Sequence, residues 1–422
     1  MIFGGTMLSN GLVFARYSLA EWIQGLLGDR LEMIPEWILF PLLMLAGCLV
    51  IIGFITVFAL FAIWMERKVS AHMQCRLGPM EVGFHGALQT IADGVKLLGK
   101  EDIVPRHADK LLHYLAPIIV FAGVFPLFVV VPFSEKILIS DINLGLFFVA
   151  AVGAVEVVGV IMAGWASNNK WSLFGAMRAA TQLVSYEIPL GLAFLTIILL
   201  AGSFSMVDII HQQEGWLSNW FLFHNPFMPI IFLSFFTASL AECKRAPFDL
   251  PEAESELVSG FHTEYSGMKF SIFFLAEYAA MYVVCAIAAV MFLGGWSTGI
   301  KPLEAWLADS AGNPMREVLS NTVHLVVIVT KSMFLVFVQM WLRWTLPRIR
   351  LDQIMHVCLK VLLPWTMVAM VATSAIELCW PGGNMVLTAL TIVIWSIPLL
   401  WTLKAILDMT VGIFLKFVPS GR

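Results

Sequence analysis

Residues 272–294 read IFFLAEYAAMYVVCAIAAVMFLG, and Glu277 is the only charged side chain among them. A helix needs about 20 apolar residues to cross the roughly 30 Å of hydrocarbon in a bilayer. The run therefore predicts a membrane-spanning helix that carries one carboxyl group into the membrane.

The composition of the whole chain agrees with this prediction. Its 422 residues are 59% hydrophobic and 13% charged, and the mean hydropathy is +0.86, whereas a soluble domain carries about 25% charged residues. The ordinary soluble class is excluded. We predict an all-α fold, a polytopic integral membrane helical bundle. About nine transmembrane helices are predicted, near residues 38–63, 111–132, 144–164, 183–201, 227–241, 272–294, 323–342, 361–379 and 385–403.

The distribution of positive charge predicts the orientation of these helices. Lys and Arg are retained in cytoplasmic loops. If the N-terminus lies outside, most of the 25 Lys and Arg residues fall in the inner segments, and each inner segment carries several of them. We therefore predict an outer N-terminus and a cytoplasmic C-terminus.

The first inner segment, residues 64–110, contains an amphipathic pattern. Apolar side chains recur at helical spacing, namely Leu88, Ile91, Val95 and Leu98. They predict an amphipathic helix at the membrane surface. Such a helix either rests on lipid headgroups or forms one wall of a lipid-accessible cavity. The charged side chains beside it favour the cavity wall: Glu66, Arg67 and Arg76.

The third inner segment is unusually acidic and leads into the quoted span. Between Ala241 and Tyr278 lie Glu242, Asp249, Glu252, Glu254, Glu256, Glu264 and Glu277. Asp249 can cap a helix that begins at Pro251, and Glu252 and Glu256 then share one face. Repulsion between them would raise the pKa of at least one carboxyl group, which could then carry protons. The alternative is a solvated acidic loop.

Further ionisable residues fall inside predicted spans. Glu156, Glu187 and Lys331 are placed there together with Glu277. Charged groups at membrane depth are costly and commonly face a polar interior. The set therefore favours a functional role, with structural pairing as the alternative.

The segment LRWTLPRIRLDQIMH, residues 342–356, is the fourth inner motif. Its arginines Arg343, Arg348 and Arg350 are explained by positive-inside anchoring. Arg348 and Asp352 could also pair and hold a loop over the acidic segment.

Motifs for resident cofactors are missing from the sequence. The six cysteines form no C-x-x-C pair, and neither G-x-G nor the G-x-x-x-x-G-K-[ST] pattern occurs. Iron–sulfur, zinc and nucleotide sites depend on such patterns. We expect no metal site and no cofactor bound by this chain alone, and we expect no nucleic-acid partner.

Long stretches of the chain, between Pro41 and Pro364, resemble the H-subunit family of bacterial NADH–quinone oxidoreductase, respiratory complex I. The stretches are ERK at 66–68, GPMEVG at 78–83, LQTIADGVKLLGKE at 88–101, GWASNNKWSLFGAMRAATQLVSYE at 164–187, AECKRAPFDLPEAESELVSGFHTEYSGM at 241–268, FFLAEY at 273–278 and RWTLPRIRLDQIMH at 343–356. The resemblance implies a membrane subunit of a proton-translocating enzyme that forms the quinone-binding chamber. Quinone is then the substrate, while NAD, FMN and iron–sulfur clusters belong to partner subunits.

The resemblance also implies roles for individual residues. The proton path would comprise Glu187, Glu242, Asp249, Glu252, Glu254, Glu256, Glu264 and Glu277, with Lys331 beside it. The quinone chamber would be shaped by Glu66, Arg67, Arg76, Arg178, Lys244, Arg245, Phe248, Arg343, Arg348 and Asp352. Other subunits of the membrane and hydrophilic arms, and membrane lipids, would be the partners, in the bacterial inner membrane.

The resemblance leaves both ends of the chain and Glu156 unexplained. We divide the chain into an N-terminal interfacial segment (1–36), a quinone-chamber membrane domain (37–380), and an additional C-terminal transmembrane helix with a tail (381–422). The alternatives are the equivalent subunit of a membrane-bound hydrogenase, a complex I variant with another electron donor, and a stand-alone ion transporter. The long acidic motif favours the quinone enzyme, and the lack of matching halves disfavours the transporter.

Overall fold

A computed structural model describes five parts of the chain: residues 15–16, 36–251, 254–308, 314–380 and 386–396. Helices make up most of them. In chain order these are α1 (Glu36–Met73), α2 (Gln89–Gly99), α3 (Lys110–Val124), α4 (Leu127–Val130), α5 (Gly145–Gly153), α6 (Val155–Ala166), α7 (Lys170–Ala201), α8 (Met206–His211), α9 (Phe221–His224), α10 (Met228–Glu242), α11 (Glu254–Leu257), α12 (Gly267–Phe292), α13 (Lys301–Ala308), α14 (Pro314–Thr345), α15 (Leu351–His356), α16 (Leu363–Cys379) and α17 (Val386–Ser396). A π-helical turn, Val357–Leu362, joins α15 to α16.

The prediction of an all-α membrane bundle is confirmed. Within the described residues, seven helical segments are long and apolar enough to cross a membrane. They are Met44–Met73, Lys110–Val130, Gly145–Ala166, Lys170–Ala201, Gly267–Phe292, Met315–Thr345 and Leu351–Cys379. The shorter apolar helices α10 and α17 lie where the fifth and ninth spans are predicted.

Helix α7 begins earlier than the predicted fourth span. Helix α7 begins at Lys170 and runs through Pro189 without ending there. In a membrane bundle, neighbouring helices and side chains can satisfy the backbone groups that a proline frees. The packed surroundings of Pro189, which is buried, therefore allow a longer helix than the sequence predicts.

Helix α12, which contains most of the stretch quoted first, is the central helix of the bundle. In its most apolar window 72% of the residues are buried, against at most 50% in the other candidate spans. It packs against α1, α3, α10 and α14. Charges that α12 carries are therefore held inside protein.

Two short described segments, 15–16 and 386–396, contact this bundle. A two-residue strand β1 (Ala15–Arg16) pairs antiparallel with β2 (Asp141–Ile142), between α4 and α5. The indole nitrogen of Trp395 in α17 donates to the carbonyl oxygen of Pro226 at 3.1 Å, so α17 lies near the start of α10. The other residues of the predicted 1–36 segment and of the C-terminal tail lie outside the described residues.

The predicted orientation can be tested with native cysteines. Cys75 follows α1 on the predicted inner side, Cys379 ends α16 on the predicted outer side, and both are exposed. In membrane vesicles, a membrane-impermeant maleimide should modify Cys75 only from the cytoplasmic side and Cys379 only from the opposite side. Cys75→Ser and Cys379→Ser variants assign each label, and the reverse pattern would contradict the orientation.

Candidate functional site

A network of buried charges joins α1, α12, α14 and the segment after α10. The Glu66 carboxylate of α1 accepts from Nη1 of Arg245 at 3.2 Å and from the Tyr278 hydroxyl at 2.5 Å, and it also contacts the Arg343 guanidinium. Nε of Arg245 lies 2.7 Å from Oε1 of Glu277. The Arg245 guanidinium is stacked on the Tyr278 ring, 4.2 Å from its centroid. Four elements therefore converge on a single group of charges.

The charges in this network balance each other. Glu66 is 6% exposed and Arg245 is 3% exposed, so both are almost completely enclosed by protein. Burial opposes the charge of Arg245, yet Glu277, Tyr278 and Glu66 together raise the pKa of its guanidinium above the usual value. Buried ions are tolerated where partners and hydrogen bonds replace water. We call this network of Glu66, Arg245, Glu277, Tyr278 and Arg343 the ionic core. Its members depend on each other for charge compensation.

A sharp turn after α10 places the two basic side chains. Lys244 has a positive φ of 53°, in the left-handed region that few non-glycine residues adopt. The side-chain amide of Gln182 in α7 fixes both sides of the turn, since it donates to the carbonyls of Ala241 and Phe248 at 2.8 and 2.9 Å. The turn allows Lys244 and Arg245, though adjacent, to pair with different acids.

Lys244 pairs with the acid that the family resemblance leaves unexplained. Its Nζ lies 2.5 Å from Oε1 of Glu156 in α6, and both residues are buried. The pair borders a small cavity, lined by Val120, Glu156, Lys244, Phe261, His262, Phe273 and Glu277. Glu277 therefore belongs both to the ionic core and to the wall of this cavity.

Glu242 and Glu187 extend the acidic region away from the ionic core. Glu242 is the last residue of α10, and its electrostatic neighbours are Glu156, Glu187 and Lys244. Glu187 is half-buried on α7. The structure thus brings four predicted or unassigned acids, Glu156, Glu187, Glu242 and Glu277, into one region.

The acidic segment after Pro251 differs from its predicted form. Pro251 lies in a turn, and the described helix that follows is the single turn α11, Glu254–Leu257, so Asp249 does not cap a helix beginning at Pro251. Asp249 instead lies 3.2 Å from Nη2 of Arg348. Glu252 and the side chain of Glu254 are outside the described residues.

The prediction of a raised pKa does not hold for Glu256. Its carboxylate is exposed and accepts from Nη1 of Arg178 at 2.6 Å. The hydrogen bond from Arg178 lowers the pKa of Glu256 below its usual value. Glu256 is therefore an ionised partner of α7.

The suggested pair between Arg348 and Asp352 is also wrong. Arg348 lies in the irregular segment between α14 and α15, so helical spacing does not apply to it. It reaches back to Asp249, while Asp352 is exposed on α15. The predicted tie between this segment and the acidic segment nevertheless exists.

Helix α2 confirms the predicted amphipathic helix next to α1. Arg67 of α1 contacts Asp93 of α2 at 2.6 Å. Partial burial opposes the charge of Asp93, but the hydrogen bond and charge of Arg67 outweigh it and lower the pKa of this carboxyl group. The apolar face remains uncovered, with these side chains exposed: Leu88, Ile91, Val95 and Leu98.

The remaining predicted residues lie apart from the ionic core. Arg76 is exposed and donates to Gln74 at 2.7 Å. Phe248 is 4% exposed and packs against Tyr186, and Glu264 accepts from Asn169 at 2.6 Å.

Lys331 lies at the opposite end of α12 from Glu277. Its ammonium donates to the carbonyls of Leu293, Gly295 and Ser297 at 2.6, 2.9 and 2.7 Å. It therefore binds carbonyls of the segment just after α12, near the helix C-terminus where a cation is favoured, rather than the acids near Glu277.

Two members of the site, Tyr278 and Asp93, were not identified from the sequence. Tyr278 adjoins Glu277 in the FFLAEY stretch. A buried tyrosine hydroxyl usually has a hydrogen-bond partner, so its place in a predicted span could have indicated a polar contact. Asp93 lies on α2, and no sequence pattern indicates its pairing with Arg67, 26 positions away. No group of three or more His, Cys, Asp or Glu side chains suited to a metal ion occurs within the described ranges.

The ionic core should be sensitive to the loss of one member. Removing one partner of a buried ion pair costs about 3–5 kcal/mol, because the other charge stays buried without compensation. We expect Arg245→Met to lower the thermal midpoint of the purified protein, followed by scanning fluorimetry. Arg178→Met is the matched control, because it breaks the exposed pair with Glu256. Equal midpoints for the two variants would contradict the assignment of Arg245.

Comparison with known proteins gives the affiliation of the chain. A family described as NADH dehydrogenase matches residues 46–374. The H subunit of the NADH–quinone oxidoreductase of Chlorobaculum tepidum is 49% identical over 361 residues, which cover 85% of this chain and 97% of that protein. The corresponding protein of Chlorobaculum parvum is 50% identical with the same coverage. That of Anaeromyxobacter dehalogenans is 44% identical over 80% of this chain and 83% of its own length. The chain therefore belongs to the NADH dehydrogenase family, together with the H subunits of NADH–quinone oxidoreductase.

Proposed function

We propose that this chain forms the quinone-binding chamber of a proton-translocating NADH–quinone oxidoreductase and carries the acidic path that couples quinone reduction to proton movement. The observation that supports this most directly is the buried ionic core of Glu66, Arg245, Glu277, Tyr278 and Arg343. It lies between the helix α2, with its uncovered apolar face, and the acids around Glu242. Such charges are costly in a membrane and are retained mainly where they function.

The chemistry of a quinone fits the chamber proposed around this core. Reduction of a quinone to a quinol consumes two electrons and two protons, so the site must supply hydrogen-bond donors and protons as well as electrons. Arginine, tyrosine and glutamate side chains provide these groups. The chamber would be bounded by Glu66, Arg67, Arg76, Arg178, Lys244, Arg245, Phe248, Arg343, Arg348 and Asp352.

Electrons would come from outside this chain. NAD, FMN and iron–sulfur clusters belong, on this proposal, to partner subunits, and the chain itself binds no cofactor apart from the quinone substrate. Its contribution to the enzyme is to hold the quinone and to respond electrostatically when the quinone is reduced.

The acidic path would begin at the ionic core. A change of charge at Glu66 or Glu277 alters the field at Arg245, which contacts both acids. The effect passes through the small cavity to the Lys244–Glu156 pair and on to Glu242 and Glu187. The outlying members would be Asp249, Glu252, Glu254, Glu256 and Glu264, and Lys331 would act from the far end of α12.

The surroundings of the chain follow from the same proposal. It would lie in the bacterial inner membrane, with the N-terminus outside and the C-terminus in the cytoplasm. Its partners would be other subunits of the membrane and hydrophilic arms, and lipids. The names of the similar proteins favour the quinone enzyme over the hydrogenase and transporter alternatives.

The proposed function is tested by purifying the chain from its native membrane in mild detergent. We expect nucleotide-binding and iron–sulfur subunits to co-purify, identified by mass spectrometry, together with NADH–quinone activity that a quinone-site inhibitor abolishes. A co-purifying hydrogenase module, or the chain alone without such activity, would contradict the proposal.

The acidic path is tested by Glu242→Gln. A glutamine keeps the size of the side chain but cannot carry a proton, and a lost proton-transfer group costs about 100-fold or more in rate. Inhibitor-sensitive NADH–quinone activity should fall strongly, while NADH–ferricyanide activity, which reports the assembled hydrophilic arm, should be retained. Glu317→Gln is the control, because Glu317 pairs with Lys136 on the predicted outer side. A parental rate in Glu242→Gln would remove this residue from the path.

A further inference from the structure

A second polar cluster lies at the inner end of α12. Nζ of Lys269 is 2.9 Å from Oδ2 of Asp102 and 3.5 Å from Nδ1 of His113, and it stacks 3.5 Å from the centroid of the Tyr114 ring. Asp102 is 39% exposed, Lys269 is 9% exposed and His113 is fully buried. The three groups therefore form a series that leads from the protein surface to the interior.

The second ring nitrogen of His113 has an unsatisfied position. When Lys269 donates to Nδ1, the neutral ring carries its hydrogen on Nε2. Nε2 is buried and makes no side-chain hydrogen bond of normal geometry among the described residues, although the Glu264 backbone also interacts with the His113 ring. Buried donors of this kind are rare and commonly bind an internal water. A water molecule next to Nε2 of His113 would satisfy this nitrogen.

Helix periodicity aligns this cluster with the cavity next to Glu277. On α12, Lys269, Phe273 and Glu277 follow at intervals of four residues and share one face. On α3, His113 and Val120 are seven residues apart and also share a face. Phe273, Glu277 and Val120 line the cavity. Lys269 therefore lies about 12 Å from Glu277 along the helix axis, at 1.5 Å per residue.

Aromatic rings fill the space between the cluster and the cavity. Tyr265 is stacked on His113, with ring centroids 4.1 Å apart, and Phe273 packs edge-on against Tyr265 at 4.9 Å. His262 lies 5.1 Å from Phe273 on the cavity side. Phe273 thus separates the two polar regions.

We propose that Asp102, Lys269 and His113 form a proton-uptake site, which takes protons from the inner aqueous side and passes them beyond Phe273 to the cavity next to Glu277. This inference rests on the proposed function. It gives the acidic path a source of protons that is separate from the quinone chamber.

Each step of the transfer is balanced. Asp102 takes a proton from water, Lys269 gives one of its protons to Nδ1 of His113 and regains one from Asp102, and His113 releases the Nε2 proton to a water that leads to Glu277. The ionisable groups that face His113 are Lys269 from α12, Asp102 from the segment before α3, Glu264 and Tyr265 from the segment before α12, and Tyr114 from α3 itself. The net charge of the cluster is restored after each proton. The hydrogen of His113 then lies on Nδ1, so the ring must turn over and return it to the Nε2 side before the next transfer.

The same residues could serve only to fasten the segment before α3. Ser266 accepts from the Ile103 amide at 3.0 Å and donates to the Glu101 carbonyl at 3.2 Å, so this segment is already attached to the start of α12. If the residues only fasten the segment, variants should lower the amount of assembled complex but not the rate per complex. If they take up protons, the rate per complex should fall.

The test uses the intact complex in inverted membrane vesicles, where the inner side faces the assay buffer. The variants are Lys269→Met, Asp102→Asn, which alters a surface group, and His107→Gln, an exposed control in the same segment. Inhibitor-sensitive NADH–quinone turnover is divided by NADH–ferricyanide activity, so that loss of assembly is removed from the result. The measurement is repeated between about pH 6 and about pH 8.5.

Proton uptake predicts a defect that depends on pH. At high pH, Lys269→Met should be about 100-fold slower per complex, Asp102→Asn less so, and His107→Gln unchanged. The defect should shrink as the pH falls, because protons become more abundant at the inner surface. A parental rate per complex in Lys269→Met and Asp102→Asn, or a defect independent of pH, would overturn the proton-uptake site. A parent complex that lacks inhibitor-sensitive turnover would instead overturn the proposed function.

Discussion

The structure depends on pairing buried charges with each other, because an unpaired charge inside the bundle would cost several kcal/mol. Glu66 and Arg245 are nearly completely buried, and each would be costly without the other. Because Arg245 also pairs with Glu277, and Glu66 also binds Tyr278 and Arg343, no single contact can be exchanged independently. The positions of α1, α12 and α14 near the predicted inner side are therefore tied to one another by electrostatics as well as by packing.

This constraint explains why the central helix is α12. Glu277 and Tyr278 lie on it, and burying them inside the bundle lets other elements supply their partners. Its two ends are held by lysines in different ways. Lys269 contacts Asp102 and His113 at the inner end, and Lys331 binds three carbonyls at the other end. The helix that brings an acid into the membrane is thus fixed at both ends by cations.

The sequence predicts the helices well because the need for long apolar runs is local, but it does not predict which charged side chains pair with each other. Predictions failed where tertiary contacts decide. Helix α7 begins before the predicted fourth span and continues through the buried Pro189, and Arg348 pairs with Asp249 because the chain between α14 and α15 is irregular. Glu156 and Lys244 are 88 positions apart, so no local pattern could have joined them.

The central claim is that the ionic core of Glu66, Arg245 and Glu277 faces the quinone. The most direct measurement is a cryo-electron microscopy map of the intact complex with a bound short-chain quinone. The account predicts headgroup density in a chamber bounded by α1, α2 and α14, with Glu66 and Arg343 on its wall. Density for the quinone in a different part of the complex, away from Glu66 and Arg343, would contradict it.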